Sequence, residues 1–278
     1  MTPSIVAFGE ALLDVYPDRA VVAGAPLHVA AHLADRGWTS YLVTRLGQDH
    51  DGDLVREEMA ARGVDMRFVE TDRRAPTGTV AIELLPNGGH RFTIGRSAAW
   101  DFIAGPEELP PHDALVYGTL AGRSPTSRAA LLKVLRRSRA PLRVFDVNLR
   151  PPDVDEDVLK LGLAHAILIK AAEDELEVVA SVAGGDVFAA APQARWLCVT
   201  RGERGAELRS RDGRVWTAPS RAASGARIVD TVGAGDAFTA GLIAALGTGA
   251  GPEDALETAR GMAEGVLLVR GGLPPRAS

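Results

Sequence analysis

Apolar positions along the chain fall into two rhythms. Short continuous runs at Ile5 to Phe8, Tyr41 to Thr44, Ala114 to Leu120, Leu142 to Val147, Ala166 to Lys170, Trp196 to Thr200 and Arg227 to Val229 read as buried strands. Between them the spacing turns helical, at Leu27 to Ala34, Gly52 to Arg62, Ser127 to Arg137, Asp174 to Ala183 and Asp254 to Val269; the second of these stops at Gly63. Strands that alternate with helices predict βα units, so the fold class is α/β, with a mostly parallel sheet covered on both faces.

Two stretches break the rhythm in the first third of the chain. Residues 78 to 96 read as a β-hairpin turning at Asn87-Gly88, and residues 11 to 23 look extended, with alternation around Leu13, Val15 and Tyr16. Together they predict a small antiparallel sheet that projects from the main domain as a lid. The expected layout is one domain over residues 1–278 whose lid comes from about residues 11–23 and 66–98.

One helical pattern carries chemistry at its head. Phe238, Leu242 and Leu246 recur at four-residue spacing, Ile243 widens the stripe, and Gly247 and Gly249 stand where a C-terminal cap belongs. Just before it runs Asp230-Thr-Val-Gly233-Ala234-Gly235-Asp236-Ala-Phe238. The glycines let the backbone approach an anion, and the free N–H groups opening the helix point at it. Asp236 then falls where a hydroxyl proton has to go.

A bare Gly-x-Gly would be an ordinary turn with Asp236 as a helix cap; the full string is much rarer. A P-loop is excluded, because the only lysines are Lys133, Lys160 and Lys170 and none follows a glycine. A dinucleotide fingerprint wants a glycine at position 238, where this chain has Phe. Phosphoryl transfer is the chemistry that fits.

Composition narrows the setting. A chain of 278 residues, 46% hydrophobic and 24% charged, is long enough for a full core. Its net charge of −5 argues against a nucleic-acid surface. The single cysteine, Cys198, sits in an apolar run and suits a buried thiol in a reducing cytoplasm. The first apolar run is too short for a signal peptide or a membrane span, so a cytoplasmic protein with no membrane partner is expected. His28 and His32 have the spacing of a zinc pair, but with no third ligand in sight, packing or sugar contact is the better reading.

The Asp230 to Phe238 string resembles the second signature of the ribokinase-like (PfkB) carbohydrate kinases, and the chain is nearest their fructokinase branch. Gly9-Glu10-Ala-Leu-Leu-Asp14 and Gly24-Ala25-Pro26 are similar to that family's N-terminal substrate motifs. Asp146-Val-Asn148-Leu-Arg150, Lys170-Ala-Ala-Glu-Asp-Glu175 and Thr200-Arg-Gly202-Glu-Arg-Gly205-Ala206 follow in the family's order, so the resemblance covers nearly the whole chain.

The resemblance implies a three-layer α/β/α sandwich with a β lid. It makes Asp236 the general base that takes a sugar hydroxyl proton as the oxygen attacks the γ-phosphate of ATP. The amides of Gly233, Ala234, Gly235 and Asp236 would form the anion hole. Asp14 would accept hydrogen bonds from the sugar, and Gly24 would let the backbone come close to it. Thr200, Gly202 and Gly205 would contact the nucleotide. Asn148 and Arg150 leave a strand end facing the same cleft, with Arg150 on phosphate charge or paired to Asp146. Glu175 would help hold Mg²⁺ through water, and K⁺ is a further expectation near Asp230. A homodimer through the lid's exposed sheet face is also expected.

The chain departs from the family at the substrate end. Ala23-Gly24 replaces Gly-Gly, His28 stands where the family often has Asn to bind sugar hydroxyls, and Ala172 stands where many members have Asn. Arg91 and Arg96, in or beside the lid hairpin, are the candidates for an acidic group on the substrate; the plainer reading is solvent-facing strand arginines. The open alternatives are a kinase for 2-keto-3-deoxygluconate, a nucleoside or a sugar phosphate, and a sugar- or nucleotide-binding regulator without turnover.

Overall fold

The computed structural model describes residues 2–84, 90–220, 228–269 and 271–274, without the side chains of Leu84, His90 and Arg91. Its main sheet has nine strands. Across the sheet they run Val215–Ala218, Ala206–Ser210, Trp196–Thr200, Leu168–Ala172, Leu142–Asp146, Ala114–Tyr117, Ser4–Phe8, Thr39–Gly47 and Val69–Asp72. Every pairing from the Trp196 strand to the Val69 strand is parallel; the two strands beyond Trp196–Thr200 are antiparallel.

Side chains alternate across the pleat, which builds two apolar layers from the same strands. Ile5 and Ala7 pack with Leu27 and Leu33 of the Ala25–Ala34 helix and with Phe238 and Leu242 of the Ala234–Leu246 helix. Val6 and Phe8 face the other way, with Leu131 of the Pro125–Arg137 helix and Leu159 of the Glu156–His165 helix. Ile5 through Phe8 are at most 1% exposed, and burying a large apolar side chain contributes about 1.5–3 kcal/mol. A strand apolar on both faces can lie only in the middle of three layers.

The expected strands and helices reappear with small shifts at their ends; the last helix, for instance, spans Pro252–Val266. Two readings change. The run at 114–120 leaves the sheet after Tyr117, and Leu120 opens a short 3-10 turn. Ile228 and Val229 belong to no strand; both are exposed, and Val229 N–H donates to Leu267 O at 2.8 Å instead of to a sheet neighbour. Arg227 lies outside the described residues, as does the expected turn at Asn87-Gly88.

The lid is a separate four-stranded sheet in the order Ala20–Ala23, Leu12–Val15, Gly78–Leu84, His90–Ile94. Its outer pairs are antiparallel, but Leu12–Val15 pairs parallel with Gly78–Leu84. An antiparallel sheet throughout was the expectation. The chain passes through the Thr39–Gly47 and Val69–Asp72 strands of the main sheet before it returns, and such a crossover permits a parallel approach that a hairpin does not. Val69–Asp72, expected within the lid, is thus the edge of the main sheet. Leu12, Tyr16, Ala23, Val80 and Ile82 give the lid its own small core.

Candidate active site

The loop before the Ala234–Leu246 helix is held by its own sequence. Gly233 is the N-cap, in the left-handed region at φ 77°. A Cβ there would lie 2.1 Å from the Gly272 Cα, so both conformation and space demand glycine. Asp230 ties the loop down: one carboxylate oxygen accepts from Val232 N–H at 3.1 Å and the other from Gly271 N–H at 3.0 Å. Ala234 N–H turns back to Thr231 O at 3.3 Å, but those of Gly235 and Asp236 have no acceptor among the described residues, so the helix opens with free N–H groups and the positive end of its dipole toward the space in front of Gly233.

Asp236 sits in the first turn of that helix, its side chain 14% exposed. His28, on the Ala25–Ala34 helix, donates from Nδ1 to Asp236 Oδ2 at 2.7 Å. Burial pushes the Asp236 carboxyl up, but the His28 hydrogen bond and charge, with Lys170 and Arg150 beyond, bring it below the usual carboxylate range. Asp236 is a half-buried yet ionised carboxylate, which is the state a general base needs.

Behind it lies a second buried pair. Lys170 and Asp146 are register neighbours on parallel strands, which brings Lys170 Nζ to 3.0 Å from Asp146 Oδ1; Thr239 Oγ donates to the other oxygen at 2.6 Å. Both side chains are buried, so each offsets the other's lost hydration. Asp146 is thereby engaged, and Arg150 does not pair with it. Arg150 instead lines the cleft and donates to the Leu149 carbonyl at 3.0 Å.

Two cavities meet at this loop. One runs under the lid, where Asp14, Gly24, His28, Asn148 and Arg150 converge with Asp236 and with Val80, Phe92 and Ile94 of the lid. Gly24 is needed there, since its φ is 127° and a Cβ would lie 2.5 Å from the Glu10 carbonyl. The other holds about 340 Å³ between Thr200, Gly202 and Gly205 on one side and Ala234, Phe238 and Leu267 on the other. Small-molecule sites run to roughly 300–1,000 Å³. Thr231 and Gly235 line both. A ligand in one cavity would face a ligand in the other across the head of the helix.

Burial raises the carboxyl of Asp14 to about 6, against the pull of His28 and Arg150. It remains mostly ionised at neutral pH, as an acceptor for hydroxyls. Glu10, also buried in the cleft wall, is raised by burial to about 7.

Some expected site residues lie elsewhere. Arg96 is 65% exposed and pairs with Asp153 at 2.6 Å, outside the cleft. The Arg91 side chain lies outside the described residues. Both Glu175 oxygens accept backbone N–H groups, from Leu149 at 2.6 Å and Ala172 at 2.8 Å, so this carboxylate joins two loop ends. Glu10, Lys170 and Thr239 were missed as site residues in the sequence. Only the strand register could have exposed Lys170, by putting its position beside Asp146. Among the described residues no three His, Cys, Asp or Glu side chains gather as a metal site. No helix among them is long and apolar enough to cross a membrane.

Comparison with known proteins gives the same picture. The fructokinase of Klebsiella pneumoniae is 33% identical over 267 residues, covering 88% of this chain and 85% of that one. The crystal structure of Xylella fastidiosa fructokinase with bound ATP superposes with a TM-score of 0.85 at 22% identity, over 98% of this chain and 94% of that one. The Methanocaldococcus jannaschii nucleoside kinase matches with a TM-score of 0.85 at 17% identity, over 98% and 93%. A family model described as pfkB family carbohydrate kinase matches residues 5–276. With a fructokinase relative at one third identity and a family match over nearly its whole length, the chain belongs to the pfkB family of carbohydrate kinases.

Proposed function

We propose that the protein transfers the γ-phosphoryl group of ATP to a hydroxyl of a neutral sugar, with fructose the first candidate, and that Asp236 is the general base. The observation that carries this reading is an ionised, half-buried carboxylate that lines one cavity next to Gly235, which lines both, in the first turn of a helix. Both the Klebsiella relative and the Xylella structure are fructokinases, and the latter binds ATP.

ATP would lie along Thr200, Gly202 and Gly205 with its phosphates toward the Gly233 to Asp236 amides. The sugar would lie under the lid, its hydroxyls on Asp14 and its apolar face against Val80 and Ile94. As the sugar oxygen attacks phosphorus, its proton passes to Asp236 and the β–γ P–O bond breaks, with the electron pair leaving on ADP. The helix amides and the Arg150 guanidinium sit where charge builds on the transferring group. Lys170 keeps the base side of the cleft cationic without leaving its pair with Asp146. With Arg96 tied to Asp153 outside the cleft, an acidic sugar loses one of its expected partners, which favours a neutral one.

Mg²⁺ fits this site only through water. Glu175 and Asp230 each give both oxygens to backbone amides, which leaves lone pairs for water but no free ligand face. When bound with the nucleotide, the ion would neutralise phosphate charge. K⁺ at Asp230 would likewise meet an already hydrogen-bonded carboxylate.

The reading is tested by ADP release over fructose, ribose, 2-keto-3-deoxygluconate, nucleosides and hexose phosphates. Fructose is expected to give the highest kcat/KM. Turnover only on a nucleoside or an acidic sugar would replace the substrate, and turnover on none would leave a binding protein.

A further inference from the structure

We infer that His28 is the positioning residue of the base: its imidazole fixes one oxygen of Asp236 so that the other meets the sugar hydroxyl, and its protonation sets the acid limb of turnover. This rests on the reading of Asp236 as the base. The family resemblance leads one to expect at position 28 an asparagine that binds sugar hydroxyls; the geometry gives the histidine a different partner.

The contact is short and enforced from several sides. His28 Nδ1 lies 2.7 Å from Asp236 Oδ2, and the histidine is 2% exposed. Gly272 lies against the ring and leaves no room for a side chain: a Cβ there would come within 2.2 Å of the His28 Cε1. The imidazole therefore has little freedom to turn toward a substrate. Oδ1 of Asp236 has no hydrogen-bond partner among the described residues, and the residue lines the cleft. One oxygen is thus held and the other remains available to accept a proton.

A carboxylate 2.7 Å from Nδ1 requires the proton on that nitrogen, so the titrating atom is Nε2. Nε2 is buried and has no hydrogen-bond partner among the described residues. Burial opposes a second proton there, but the Asp236 hydrogen bond and charge, then Asp14 on the lid strand, outweigh it and raise His28 above its ordinary 6.5. His32, one turn along the same helix, donates from Nε2 to the Gly272 carbonyl at 3.0 Å and is held neutral, lowered to about 4 by burial. Lys170 and Arg150 face the same carboxylate from the opposite wall. With His28 neutral, Asp236 carries one hydrogen-bond donor and keeps its basicity. With His28 as imidazolium, the carboxylate is held in an ion pair and becomes a weaker base.

The experiment is a pH series of kcat and KM with ATP and fructose, or the best sugar of the screen, for wild type, His28→Asn and His28→Gln. Circular dichroism and thermal melts confirm that each variant folds. Wild-type kcat is expected to fall below a midpoint above 6.5. Both variants should lose that limb in kcat, leaving only a rise in sugar KM as Asp14 protonates at about 6, with kcat at pH 8 lowered up to about 100-fold through misplacement of the base. A purely structural role would lower activity without moving the limb. The ratio of wild type to variant should therefore shrink as pH falls. As a substrate-free readout, ¹⁵N NMR should place the His28 titration above 6.5 in wild type and below it in Asp236→Asn. A limb that persists unchanged in both variants, or a His28 titration indifferent to Asp236, overturns the inference and leaves the base in place. Turnover by Asp236→Asn at the wild-type rate overturns the reading beneath it.

Discussion

Asp236 and Glu10 line the same cleft, and their neighbours send them in opposite directions. Asp236 has a hydrogen-bond donor at 2.7 Å and stays ionised. Glu10 has no ion-pair partner among the described residues, and burial lifts it to about 7. A carboxyl raised on folding contributes stability below its ordinary value of 4.5, and that contribution is lost as pH rises through about 7. Glu10→Gln should therefore leave Tm nearly unchanged near pH 4.5 and raise it at pH 8, by a stabilisation on the order of a few kcal/mol. Thermal melts at the two pH values check this; an equal shift at both would mean that Glu10 does not titrate with folding. At this scale the sequence was only half legible. The local string marked Asp236 as a base, while its partner lies 208 positions away and depends on how two helices pack. Lys170 and Asp146 were hidden for the same reason, because strand register, not spacing, makes them neighbours.

Among the elements, the Ala234–Leu246 helix was the most readable, since its apolar stripe, glycine-rich head and glycine end are all local signals. Its weak point is Gly233. Gly233→Ala puts a Cβ into the left-handed region, at about 1–2 kcal/mol, and against the Gly272 backbone. Urea unfolding should show a loss of at least that size, together with a fall in kcat as the amides proposed to hold the phosphates shift. A variant with unchanged stability and kcat would mean that the loop is not held as described. The lid was read less well. Its strands were visible as extended stretches, but the direction of the Leu12–Val15 and Gly78–Leu84 pairing depends on the path of the chain between them. Ile228 and Val229 looked like a strand because they are apolar, yet the sheet ends at Val215–Ala218 and offers them no partner.

For the molecule as a whole, alternation of strands and helices was enough to anticipate three layers, and the motifs at Gly9, Asp146, Lys170 and Thr200 fell at the carboxyl ends of parallel strands, where α/β sheets bind ligands. Which way the lid arginines face was not legible, because a strand at a lid edge can present a long side chain to solvent or to the cleft. Arg96 faces Asp153. Arg96→Ala should change KM for fructose by less than about twofold, as expected of an exposed ion pair; a tenfold rise would return it to the substrate.

The account turns on one carboxylate between two cavities. Its most direct measurement is ADP release by wild type and Asp236→Asn under saturating ATP and fructose, with sugar binding followed separately by calorimetry. A loss of about 10²- to 10⁴-fold in kcat with sugar affinity retained is the predicted result. Wild-type turnover from a folded Asp236→Asn protein would contradict it.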